Sequence, residues 1–420
     1  MEVKEPTQRY LAAADRQLTE IGLLPGDWYA ERLGNVSTCV IGLTYSPADV
    51  ADHGTLVLRS SNIQGGRLAL SDCVFVRMAL PDRVITREGD LLVCVRNGSS
   101  SLIGKAALID SSAAGSAFGA FMSVLRSSDG PYLRQVFDTA SLKRQIEQGL
   151  GATINQITNR DMDALLVPWP STAEERGSIG SVLTDADALV DSLEQLLTKK
   201  RQIKQGAMQE LLTGKRRLPG FTGPVQAIRL GDVCKMQSGG TPAASQSAYF
   251  DGPHPWVAIS DITQANKYLS ITERSLSEAG LNACAAKLFP AGTVLYAMYA
   301  SVGECCIATV PACTSQAILA MQPAGNLDPE YLYYSLTSSK AKAKSAVQQG
   351  TQGNLNKGIV QAMEIRFPEV PEQKAIARAL SNMDEEISAL ESRLTKARSL
   401  KQAMAQALLT GRIRLVEPNL

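Results

Sequence analysis

The chain has 420 residues, 45% of them hydrophobic and 20% charged, an ordinary globular mixture long enough for two to four domains. A formal net charge of +1 gives no global support for nucleic-acid binding, so such a role must rest on local patches. No run reaches the roughly 18 apolar residues a membrane-spanning helix needs, and the charged opening MEVKEPTQRYLAAADRQLTEIG lacks the apolar core of a signal peptide. The chain is therefore expected to be soluble and cytoplasmic, with no membrane partner. Cysteines stand at 39, 73, 94, 234, 284, 305, 306 and 313 without a C-x-x-C pair, and only His53 and His254 accompany them. No zinc-site spacing can be assembled, no metal is expected, and free thiols in a reducing compartment are the simplest reading.

Taken in chain order, residues 1–25 read as an N-terminal helical segment. Residues 26–170 read as a first α+β recognition domain, with VLRSSNIQGG at 57–66 and EGDLLVCVRNGSS at 88–100 placing turn residues between β-prone runs. A long helix is expected over 171–216, opened by a capping box of Ser171 and Glu174 and stopped by Gly214. Its apolar or small positions Ile179, Leu183, Ala186, Val190, Leu193 and Leu197 are spaced 4, 3, 4, 3, 4, a coiled-coil seam. A second α+β domain follows over 217–370, punctuated by SGGTP (238–242), FDGPHPW (250–256) and FPAGTVLYAMY (289–299). A second long helix is expected over 371–414, with Pro371 in its opening turn, a stripe of Ile376, Leu380, Met383, Ile387, Leu390 and Leu394, and Gly411 as its stop. Residues 415–420 form a tail. Neither domain reads as a doubly wound sheet.

An internal repeat organises this order. LEQLLTKKRQIKQGAMQELLTGKRRL (193–218) aligns without a gap to LESRLTKARSLKQAMAQALLTGRIRL (390–415), with 15 of 26 positions identical at an offset of 197. The same offset relates Arg32-Leu33-Gly34-Asn35-Val36 to Arg229-Leu230-Gly231-Asp232-Val233, and Asn159-Arg160 to Asn356-Lys357. A period of nearly half the chain is too long for a solenoid and fits duplication of a domain with its connecting helix. Both helices run from acidic to basic, Asp185, Asp187, Asp191 and Glu194 preceding Lys199, Lys200, Arg201 and Lys204, and Asp384, Glu385, Glu386 and Glu391 preceding Arg393, Lys396, Arg398 and Lys401. That gradient suits each helix dipole, and it sets acid beside base between the helices only if they lie antiparallel. The seam positions expected to meet are Leu183, Val190, Leu193 and Leu197 with Leu380, Ile387, Leu390 and Leu394. Roughly 30 paired residues would separate two domains by about 45 Å, a calliper suited to DNA half-sites about one helical turn apart.

Candidate base-reading loops are rich in Arg, Asn, Gln and Ser beside glycine, because Arg can fork onto guanine and Asn or Gln onto adenine. In the first domain they supply Arg59, Ser60, Asn62, Arg96, Asn97, Ser99, Lys105, Asn155, Asn159 and Arg160. In the second they supply Ser238, Thr241, Ser260, Lys287, Tyr296, Tyr299, Ser301, Thr351, Gln352, Asn354, Asn356 and Lys357. Solvated turns are the common use of such loops, and core packing is the common use of at least one of Tyr296 and Tyr299. Lys199, Lys200 and Lys204 could hold phosphates, a protein partner or only water. No P-loop, G-x-S-x-G elbow, H-E-x-x-H or dinucleotide fingerprint occurs, so no catalytic residue is assigned. Two rival readings remain open at this level: a methyltransferase or nuclease component, and a coiled-coil scaffold without DNA readout of its own.

The ordered set LGDV (230–233), SGGTP (238–242), PWVAISDI (255–262), KLFPAGTVLYAM (287–298), GTQGNLNK (350–357) and PEQKAIA (371–377), with the twin helix ends LLTGKRRL and LLTGRIRL, resembles the specificity subunit of type I restriction–modification systems. The first domain departs more, with VSTCVIGLTYSP (36–47) in place of SGGTP. The resemblance implies two target-recognition domains, each reading one half of a split, asymmetric site in double-stranded DNA. It implies helices that fix the spacer and dock two methyltransferase subunits, joined by restriction (motor–nuclease) subunits. It also implies that this chain binds no cofactor, S-adenosylmethionine, ATP and magnesium residing on those partners.

Overall fold

The two heptad stripes fold into two long helices, α1 (Ala173–Thr213) and α2 (Val370–Leu408). Thr172 rather than Ser171 caps α1, its Oγ1 accepting the Glu175 N–H at 3.3 Å. The cap falls one residue later than expected because the Glu175 carboxylate faces the protein interior, fully buried against Trp28 and Arg414. Pro371 lies in the first turn of α2. Gly214 and Gly411 follow the helices with φ of 74° and 61°, the left-handed conformation that ends a helix cheaply only at glycine. Of the seam residues, Leu183, Val190, Leu193, Leu197, Leu380, Ile387 and Leu394 are buried and Leu390 is half-buried.

The computed structural model describes residues 9–10, 16–150, 155–349 and 355–415. The chain divides into two units, Met1–Glu194 with Arg393–Leu420, and Gln195–Ser392. Each unit thus combines one α+β domain with half of each long helix.

In the first unit the central sheet orders Ala106–Leu108, Leu91–Cys94, Met122–Arg126 and Thr38–Ile41, all antiparallel. Leu91–Cys94 is buried throughout because both faces of the sheet are covered. Period-2 alternation sends Leu91, Val93 and Leu125 into one core with Tyr132, Leu133, Ile179, Leu183, Leu408 and Leu409. It sends Leu92, Cys94 and Val124 into another with Val57, Leu58, Ile63 and Phe118. A smaller sheet carries Thr55–Leu58 parallel to Ala117–Phe118. The N-terminal segment is not helical where it is described: Arg16–Thr19 and Gly22–Pro25 form an antiparallel hairpin. Its tight turn uses Gly22 at φ 118°, and the pleat buries Leu24 while leaving Leu18 82% exposed.

The second unit repeats the plan. Its central sheet orders Cys234–Ser238, Ile318–Pro323, Val294–Ala297, Cys305–Ala308 and Tyr268–Leu269. Val294, Tyr296, Leu319 and Met321 join Met208, Leu211, Leu212, Ile376 and Leu380, while Leu295, Ala297, Ile318 and Ala320 join Val257 and Ile262 on the other face. Phe250–Val257 runs parallel to Cys313–Thr314, as Thr55–Leu58 does to Ala117–Phe118.

Ion pairs between the helices obey the sequence repeat. Within the second unit Arg201 meets Glu391 at 2.6 Å, Lys204 meets Asp384, and Arg217 meets Glu372 at 2.5 Å. Within the first, Arg398 meets Glu194 at 2.7 Å, Lys401 meets Asp187 at 2.5 Å, and Arg414 meets Glu175 at 2.6 Å. Every member of one set lies 197 residues from its counterpart in the other. In each unit the residue numbers rise along one helix as they fall along the other, so the segments run antiparallel and the charge gradient is met by opposite charge. The exposed pairs among them, Arg201–Glu391 and Arg398–Glu194, contribute about 0.2–1 kcal/mol each, so they set direction and register more than stability.

Candidate nucleic-acid interface

In the first domain three loops converge beyond the ends of the central strands. Asn97 donates its amide N–H to Ser60 Oγ at 3.1 Å, and its Oδ1 accepts the Ser99 N–H at 3.1 Å. Asn155 donates to the Gly98 carbonyl at 3.0 Å, while Arg96 forms an isolated bridge with Gln156. The exposed Arg96 guanidinium lies over the ring of Phe121, 5.0 Å from its centroid, and that ring is itself 53% exposed. Ser99 is exposed and bonded to Ser101 Oγ, and Arg59 pairs with Asp72 at 2.8 Å. The structure therefore brings Ser60, Arg96, Asn97, Ser99 and Asn155 into one polar surface, and adds Phe121. Sequence reasoning missed that aromatic; its signal was a lone Phe in the short Gly119–Met122 link between strands.

Two first-domain candidates have other occupations. Asn62 is fully buried: Oδ1 accepts the Arg59 N–H, and Nδ2 donates to the carbonyls of Ala69 and Asp72, all at 2.9 Å. Its amide is consumed in shaping the loop and has nothing left for a base edge, so it is a loop staple. Asn159 is half-buried and within 3.5 Å of the Cys39 thiol. It opens the helix Asn159–Ala164, capped by Thr158 and packed on Leu33–Val36, with Arg160 exposed beside it. Lys105 is exposed on the turn before Ala106–Leu108.

In the second domain the glycines of SGGTP are packing devices. A Cβ on Gly239 would stand 1.8 Å from the Thr314 carbonyl oxygen, and one on Gly240 2.6 Å from the Ala286 nitrogen. Trp256 Nε1 donates to the Gly240 carbonyl at 3.0 Å, fixing this close approach. Ser238 and Ser260 are half-buried and Thr241 and Lys287 exposed. Tyr296 is fully buried in the sheet, which removes it from any interface, whereas Tyr299 is 38% exposed in the turn that follows. Ser301 is half-buried in the same turn. Asn356 is exposed, but its Oδ1 caps the helix Lys357–Ala362 by accepting the Ile359 N–H at 3.0 Å; Lys357 is exposed. Thr351, Gln352 and Asn354 lie outside the described residues.

The α1 lysines proposed as phosphate contacts are mostly engaged, Lys200 with Glu386 at 2.6 Å and Lys204 with Asp384; Lys199 is exposed. All eight cysteines are free. Burial pushes the Cys39 thiol up to about 11 and those of Cys234, Cys305, Cys306 and Cys313 up to about 12, the opposite of an activated nucleophile. Among the described residues, no cluster of three or more His, Cys, Asp or Glu is placed to hold a metal, and no helix is long and apolar enough to cross a membrane.

Residues 223–397 match the type I restriction modification DNA specificity domain. The chain is 30% identical over 163 residues to the type I restriction enzyme MjaIX specificity subunit of Methanocaldococcus jannaschii, covering 37% of each chain. It is 28% identical over 207 residues to the EcoKI specificity subunit of Escherichia coli K12, covering 46% of this chain and 44% of that one. These alignments span less than half of either relative. A putative MjaX specificity subunit of M. jannaschii is matched over 94% of this chain and 96% of that one at 21% identity. In fold, the S subunit of a type I restriction–modification system from M. genitalium superposes with a TM-score of 0.61 at 14% identity, covering 91% of this chain and 96% of that one. A chain from a solved type I system superposes with a TM-score of 0.54 at 19% identity, covering 93% and 99%. Residues 223–397 thus match the type I restriction modification DNA specificity domain, and the whole chain is similar in length and fold to type I restriction–modification specificity subunits.

Proposed function

We propose that this chain is the DNA sequence-specificity subunit of a type I restriction–modification complex, each α+β domain reading one half of a bipartite, asymmetric site. The observation that carries the reading is one scaffold used twice with different fingertips. The central strand order recurs in both units, yet the loops beyond it present Arg96, Asn97 and Phe121 in one and Tyr299 and Ser301 in the other. A duplicated frame with unlike polar loops is what reading two unlike half-sites requires. The paired helices then set the non-specific spacer and dock two methyltransferase subunits, with restriction (motor–nuclease) subunits joining them. S-adenosylmethionine, ATP and magnesium serve those partners, and this chain contributes readout rather than catalysis.

Methylation-sensitive sequencing of a genome carrying the system tests this. A methylated motif of two short half-sites separated by a fixed gap is expected; a short continuous motif would overturn the reading. Replacing residues 220–370 with the corresponding domain of another family member is expected to change one half-site only.

A further inference from the structure

The two domains share more than strand order. They share a single backbone address for a reading residue. In the first domain Val95, the residue after the central strand Leu91–Cys94, donates its N–H to the Phe121 carbonyl at 3.0 Å and accepts the Ile157 N–H at 2.9 Å. In the second, Met298, the residue after Val294–Ala297, donates to the Ala317 carbonyl at 2.9 Å and accepts the Leu355 N–H at 3.1 Å. Both clamped residues are buried, at 7% and 3% exposure. The next residue in each case is the first to emerge from the sheet: Arg96 in one domain, Tyr299 in the other. The correspondence is hidden in sequence, because these positions lie 203 residues apart while the repeat runs at 197.

What surrounds the two side chains differs in a way that fits two readers. Arg96 lies over the half-exposed Phe121 ring, and its neighbour Asn97 is tied to Ser60 and Ser99, so the guanidinium rests on a flat support in a braced loop. The planar guanidinium carries an N–H fork whose geometry matches O6 and N7 of guanine. In the second domain Phe121 is replaced by Ala317, and Tyr299 itself supplies the aromatic surface. Its successor Ala300 has a φ of 54°, a strained conformation for a residue with a Cβ that aims the turn.

We propose that Arg96 and Tyr299 occupy the same specificity-determining position in the two recognition domains, Arg96 reading a G·C pair in one half-site and Tyr299 setting a base preference in the other. The assignment rests on the DNA-specificity reading above. The test uses the full chain assembled with its methyltransferase subunits and selection from duplexes randomised across both half-sites. Arg96→Ala is expected to weaken binding to the preferred duplex roughly 5- to 150-fold and to relax preference at one G·C pair, leaving the other half-site unchanged. Arg96→Lys keeps the charge but loses the fork, and is expected to relax the same pair. Tyr299→Ala is expected to relax preference in the opposite half-site alone. Uniform weakening with base preference intact would make Arg96 a phosphate contact and overturn the proposal, as would both substitutions acting on one half-site. If the unaltered chain selects no bipartite site, the functional reading itself fails and takes this assignment with it.

Discussion

Removing the Arg414 side chain should destabilise the first unit far more than removing its repeat counterpart Arg217 destabilises the second. Arg414 is 8% exposed and forks onto Asp27 at 2.9 Å twice and onto Glu175 at 2.6 Å. Glu175 is fully buried, and among the described residues only the Trp28 indole N–H, at 3.2 Å, would still donate to its carboxylate without Arg414. Breaking a buried pair from one side costs about 3–5 kcal/mol, because the surviving charge is stranded in a poor solvent. Glu372 is also buried, but Arg366 lies 3.6 Å from it besides Arg217, and Arg217 is 26% exposed. A second cation and solvent access should hold the cost of Arg217→Met well below that of Arg414→Met. Arg414→Met should therefore lower the melting temperature of its unit by about 6–20 °C and Arg217→Met by distinctly less, measured by calorimetry on the full chain. The double variant Arg414→Met with Glu175→Gln should recover part of the loss. Equal, sub-kilocalorie effects of the two single substitutions would refute the argument that a stranded buried charge decides the difference.

The same cluster has a pH signature: the Arg414 hydrogen bond holds the Asp27 carboxyl below its ordinary range, so its stabilisation is present above the unfolded value and is lost as pH falls through the folded one. Acid titration of stability should show this loss at the low-pH end in the native chain and not in Arg414→Met. Asn62→Ala should cost about 2–4 kcal/mol by unfolding, since three hydrogen bonds that shape the loop are lost at once from a buried side chain. The raised thiols of Cys305, Cys306 and Cys313 should resist alkylation at neutral pH until the chain is unfolded, which mass spectrometry of iodoacetamide-treated protein would check. Replacing residues 393–415 with the sequence of 196–218 should leave the first unit folded, because Leu408, Leu409, Arg398, Lys401 and Arg414 are all conserved in the exchange. The cost should come from Arg in place of the core-packed Ile413 and from the changed packing at Met404 and Ala405, and thermal unfolding would show whether reverting these three positions restores stability.

The long helices, their antiparallel direction and the duplicated plan were legible in sequence because each is periodic or local. Heptad spacing, a charge gradient and a 197-residue repeat need no knowledge of what lies across space. The glycine stops at 214 and 411 belong to the same class, being requirements of the backbone itself. The site was legible only as a set of loops. Tyr296 and Tyr299 look alike in the string, but the strand ends at Ala297, so one ring is sealed beneath a sheet covered on both faces and the other emerges. Asn62 and Asn97 look equally suited to a base edge, yet a loop that folds back over Asn62 consumes its amide. The burial of Glu175 was likewise decided by contact with Arg414, 239 positions away. Sequence alone determined the repeat and its helices; only the tertiary structure decided which half of each helix joins which domain and which polar groups remain unspent at the surface.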